Sequence, residues 1–89
     1  MKAVVTVIGK DMIGILAKVS TQCAESNANV LEVTQSILQD LFAMIMLIDI
    51  SNLNCEFGEL SDKLKKNGEK MGLSISVMHE DIFESMHRI

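Results

Sequence analysis

The spacing of apolar positions switches repeatedly along this chain, and each switch marks an element. Lys2 to Ile8 is rich in Val and Ile and predicts a strand apolar on both faces. After Gly9-Lys10-Asp11, the residues Ile13, Leu16, Ala17, Ser20, Cys23 and Ala24 recur at helical spacing, which predicts a helix near Met12 to Ser26. Asp11 suits its N-cap, since a carboxylate accepts hydrogen bonds from first-turn amides, and Gly14 falls in that first turn. Asn27-Ala28-Asn29 leads into Val30 to Leu38, where Leu31, Val33 and Ile37 alternate with Glu32, Thr34 and Ser36. Only Gln39-Asp40 separates this strand from Leu41–Ile50, an almost unbroken apolar run. That spacing predicts a tight hairpin, with Asp supplying tolerance of a left-handed turn.

The second half repeats the pattern more weakly. Phe57, Leu60, Leu64 and Met71 form a helical stripe, Gly72 suits its stop, and Gly68 counts against its last turn. Leu73, Ile75 and Val77 then alternate with Ser74 and Ser76 in a final strand. The order β-α-β-β-α-β is the split, ferredoxin-like arrangement: an α+β two-layer sandwich with a four-stranded antiparallel sheet and two helices on one face. Strand chemistry agrees, because the two doubly apolar runs are the first and third strands, which that arrangement makes central. In the tail, Ile82, Phe83, Met86 and Ile89 share one side of a short helix. Ten residues cannot hold a helix alone in water, so residues 80–89 are expected to dock on the sheet or on another subunit.

Composition narrows the function. Eighty-nine residues suffice for one core, so residues 1–89 are read as a single domain. Hydrophobic residues are 48% of the chain, more than a small two-layer domain readily covers, which predicts a homodimer. Met12, Ile13, Phe83 and Met86 are the first candidates for its contacts. The net charge is −4, and Lys63, Lys65, Lys66 and Lys70 are interspersed with acids along one helix, so no nucleic-acid surface is indicated. No apolar run is long enough to span a bilayer, and no signal pattern opens the chain; no membrane partner is expected. Cys23 and Cys55 are isolated, without the spacing of a metal or disulfide framework, and Cys23 is expected in the core. The expected location is the cytoplasm.

Catalytic chemistries common on this fold lack their residues here. A phosphate-hydrolysing site needs an Arg in the first loop, yet Arg88 is the sole Arg in the sequence. Base-stacking needs aromatics on the central strands, which offer only Phe42. A soft-metal carrier needs thiolates in the first loop, where none stand. His79 and His87 lie eight apart rather than at the spacing of a helical metal pair, and no serine sits on a glycine-flanked nucleophile turn. No enzyme, metal or cofactor is expected.

The stretch Thr6–Ile37, with strand, G-K-D-x-x-G-I, apolar helix and N-V opening a strand, resembles the front half of an ACT domain, a ligand-sensing module of metabolic enzymes and regulators. With its ending EDIFxxMHRI, the chain resembles small stand-alone bacterial ACT proteins, which are similar to the ACT repeats of glycine-cleavage regulators. The resemblance implies a regulatory module that binds an amino-acid effector at a subunit interface, against the first loop and the start of the second strand. The matching positions are Gly9, Lys10, Asp11, Met12, Ile13 and Gly14, with Asn29, Val30 and Leu31. Physically, Gly14 admits close approach, a helix start offers free amides to a carboxylate, and Asn29 both donates and accepts. Serine-sensing members carry His and Asn where this chain has Gly9 and Asp11, so the resemblance does not imply serine. A ligand-free dimerisation or protein-interaction module is the alternative reading.

Overall fold

The computed structural model describes residues 1–10 and 14–86. Its elements are β1 (Lys2–Gly9), α1 (Ile15–Glu25), β2 (Asn29–Leu38), β3 (Leu41–Asp49), α2 (Phe57–Lys70), β4 (Ser74–His79) and α3 (Glu80–Met86). The strands form one antiparallel sheet in the order β2-β3-β1-β4, so the two doubly apolar strands are central as the sequence predicts. Ala3, Val5 and Val7 of β1 and Phe42, Met44, Met46 and Ile48 of β3 point to one face. There they pack with Ile15, Val19 and Cys23 of α1 and with Leu60 and Leu64 of α2. No helix among the described residues is long and apolar enough to cross a membrane.

The helix α1 differs from the sequence expectation at its start and on its buried side. It begins at Ile15, and Gly14, with φ of 74°, occupies the N-cap that the sequence suggested for Asp11. Its buried stripe is Ile15, Val19 and Cys23, while Leu16, Ala17 and Ala24 face solvent. Two apolar stripes compete on this helix, and the β-branched one, which begins where the helix begins, is the one that reaches the sheet. Cys23 lies in the core as expected.

Both long helices close on hydrogen-bonded left-handed caps. At α1, Asn27 (φ 64°) donates to the Ala24 carbonyl at 3.0 Å and Ala28 to that of Cys23 at 2.8 Å. At α2, Gly72 (φ 74°) donates to the Glu69 carbonyl at 3.1 Å and Leu73 to that of Gly68 at 2.8 Å. Of the predicted α2 stripe, Leu60 and Leu64 are buried and Phe57 and Met71 pack half-buried against the core, with Gly68 buried on the same side. The helix continues through Gly68 to Lys70, and Gly68 lets α2 sit against β4, since a Cβ there would lie 2.8 Å from Cγ1 and Cδ1 of Ile75. In the β2–β3 hairpin the left-handed φ falls on Gln39 (58°), not on Asp40.

The tail forms α3, which packs against β1 and β4. Val4 points away from α1 and α2 yet is only 4% exposed, so α3 covers that end of the opposite face. Further along the same face, Ile8 and Ile45 are about 40% exposed.

Candidate functional site

The helix start at Gly14 is sterically open on the side of the described residues. Among the described residues no side chain caps α1, and its first turn carries no acidic residue, so no described carboxylate offsets the positive end of its dipole. Gly14 is exposed, adopts a left-handed φ that L residues resist, and has nothing within 4 Å of where a Cβ would stand. Gly9 is the opposite case: it is buried, and a Cβ there would collide with the Leu73 side chain. Lys10 is exposed beside it, whereas Asp11, Met12 and Ile13 lie outside the described residues.

The other half of the sequence-predicted site is at the far end of the sheet. Gly9 pairs with Phe42, while Asn29 pairs with Asp49, which also pairs with Lys2. The strand β3 therefore separates the two groups by seven residue steps, roughly 23 Å at about 3.3 Å per residue. Within one chain, Lys10 and Gly14 are not brought together with Asn29, Val30 and Leu31. Asn29 is exposed, Val30 is half-buried against the core, and Leu31 is the extra residue of a bulge between Val30 and Glu32. Asp49 ends this corner; the Ser51 amide donates to its Oδ1 at 2.9 Å and holds its carboxyl below the ordinary carboxylate range.

Between these ends runs a strip that the sequence reading did not single out. Val33, Gln35 and Ile37 stand opposite Met46, Met44 and Phe42, so they share the helix-covered face of the sheet. Their partners are buried, yet Val33 is 36% and Ile37 58% exposed on this outer strand of the sheet. Leu16, on the first turn of α1, is also exposed. The signal for this strip was present as an apolar alternation on an edge strand with no helix left to cover it.

Chemistry elsewhere is spare. His79 stacks on Phe57 with ring centroids 4.2 Å apart. Cys23 and Cys55 are free, and burial pushes the Cys23 thiol up to about 11, far from a nucleophile's range. No cluster of three metal-ligating side chains exists among the described residues.

A four-stranded ferredoxin-like sheet with a glycine-opened helix start after its first strand is the fold of a class of small regulatory modules. The chain belongs to the ACT-domain family, whose profile matches residues 2–78. A UPF0237 protein of Methanocaldococcus jannaschii is 52% identical over 88 residues, covering 99% of this chain and 98% of its own. One from Clostridium acetobutylicum is 46% identical over the full length of both. Among solved structures, an ACT domain protein from Streptococcus pneumoniae superposes with a TM-score of 0.82 at 33% identity, over 94% of each chain. A putative glycine cleavage system transcriptional repressor shares the fold, with a TM-score of 0.73 at 22% identity, over 85% of this chain and 43% of its own.

Proposed function

We propose that this protein is a non-catalytic sensor that takes a small amino acid, or a related carboxylate, at an interface between two copies and acts through oligomer or partner contacts. The observation that carries this reading is the separation of the two half-sites on one sheet whose edge strand β2 is open. A two-fold axis that pairs β2 with its own copy antiparallel exchanges the ends of the strand. Full overlap of the ten-residue strands sets the partner's Asn29 level with Leu38, the end at which β1 delivers Gly9 and Lys10. The ligand carboxylate would meet the free amides of α1 after Gly14, and the amide of the partner's Asn29 would close the site. Val33 and Ile37 would be covered by the same contact. A cytoplasmic setting agrees with the two free thiols.

Val33 and Ile37 also favour the second reading, a dimerisation module without a ligand, since a partner strand would cover them unaided. Sedimentation combined with thermal-shift screening across the amino acids separates the two. A dimer stabilised by one amino acid upholds the sensor; at a hundred times its dissociation constant such a ligand adds roughly 2.7 kcal/mol. A dimer that no amino acid stabilises selects the second reading. A clean monomer at micromolar concentration, with and without the amino acids, overturns both.

A further inference from the structure

In the helical layer, α1 and α2 are separated by a groove. One hollow of about 410 Å³ adjoins a second of about 230 Å³, and Gln22, Glu25 and Asn67 line both. Two helices that share a core normally close such a seam with apolar side chains. Here two side-chain amides stand in it. The Oε1 of Gln22 is buried and has no hydrogen-bond partner among the described residues, the one such side-chain atom found there. A buried acceptor without a donor is destabilising, so this position is tolerated at a cost that leucine would not incur.

The charges around the seam point the same way. The chain carries a net charge of −4, yet Lys18 of α1 and Lys70 of α2 line the larger hollow and Lys63 of α2 the smaller, against Glu25 alone. Lysine ammonium groups attract a carboxylate, while the amide oxygens of Gln22 and Asn67 and the carboxylate of Glu25 accept from a donor. Ala17 and Met71 add an apolar wall. The volume falls within the range of small-molecule sites.

We infer that the α1–α2 groove is a second binding site, for a small carboxylate that bears a hydrogen-bond donor, a hydroxyl or an ammonium, beside the acid group. The carboxylate sits between Lys18 and Lys70. The donor draws the Gln22 amide toward the groove through a rotation of its terminal torsion, exchanging an unsatisfied acceptor for a hydrogen bond. This site does not depend on a second copy, and so stands or falls separately from the β2 interface.

Three probes of similar size dissect the chemistry: propionate has the acid alone, L-lactate adds a hydroxyl, and L-alanine adds an ammonium. Each is titrated into isotopically labelled full-length protein while backbone amide resonances are followed. The expected result is saturable shifts at residues 17–25 and 67–71 with lactate, alanine or both, and about tenfold weaker binding of propionate. Gln22→Leu should abolish that preference with the circular dichroism spectrum intact. If that variant misfolds, Lys18→Gln with Lys70→Gln should weaken binding of the preferred probe. Unsaturable shifts at these helices, propionate binding as tightly as the other two, or binding by the preferred probe untouched by these substitutions overturns the inference. Saturable shifts confined to residues 9–14 and 29–31 also overturn it, while leaving the interface site supported.

Discussion

At the scale of single residues, two core positions, Cys23 and Gly68, lend themselves to measurement. Cys23 is buried, and desolvation raises its thiol from 9.0 to about 11. A raised folded-state value means that the neutral thiol is favoured by folding. The resulting stability is fully present below pH 9 and is lost as pH climbs from 9 towards 11. Two pH units correspond to about 2–3 kcal/mol. Urea denaturation at a series of pH values should show this decline in wild type and a shallower one in Cys23→Ala, measured against each protein's own value at pH 8. Equal slopes would mean that other groups cause the loss. Gly68 sets two effects against each other. Alanine should gain about 0.5–1 kcal/mol of helix propensity, but its Cβ would press on Cγ1 and Cδ1 of Ile75 at 2.8 Å, and overpacking costs about 1–3 kcal/mol. Gly68→Ala is therefore expected to destabilise by about 1 kcal/mol, and a rise in melting temperature would show that β4 yields easily. Gly68 is legible in sequence as a helix irregularity, but its packing purpose is not, because that depends on which strand lies beneath it.

At the scale of elements, the strands and the α2 stripe were readable, and the buried face of α1 was not. Alternation and doubly apolar runs distinguish central from edge strands directly, because a strand's period of two leaves no freedom in which residues share a face. The bulge at Leu31 escapes that logic: one inserted residue lets Val30 reach the core out of phase with Val33. In α1, Leu16 and Ala17 compete with Ile15 and Val19, and packing on the sheet buries Ile15 and Val19. The short helix α3 is the element whose worth can be measured most simply. It has no fully buried residue of its own, yet it covers Val4, and burying a valine contributes about 1.5–3 kcal/mol. Truncation after Asp81 should accordingly lower the melting temperature by at least ~5 °C and expose the apolar sheet face to dye binding. An unchanged melting curve would mean that α3 contributes nothing to stability in solution.

At the scale of the whole molecule, the sheet topology decides how the proposed site would be assembled. Sequence proximity and family resemblance gather Lys10–Gly14 and Asn29–Leu31 into one list, but linear reading does not tell which end of the sheet each occupies. The helix α1 returns the chain to the starting end of β1 before β2 begins, so the two groups lie at opposite ends of any single copy. Two copies paired through β2 would then hold two composite sites, each with a helix start from one chain and an asparagine from the other. Complementation tests this arrangement with binding stoichiometry, once an amino-acid ligand is in hand. Gly14→Leu obstructs the helix start, and Asn29→Leu removes the donor and acceptor at the strand start. Each homodimer should bind poorly. When the two variants are mixed in equal amounts and allowed to exchange, about half the dimers are mixed, and each of these regenerates one intact site of its two while the other carries both lesions. Calorimetric titration should then recover about a quarter of the wild-type stoichiometry at wild-type affinity. Sites contained within one chain would recover nothing on mixing, and that outcome would place the partner's Asn29 outside the site.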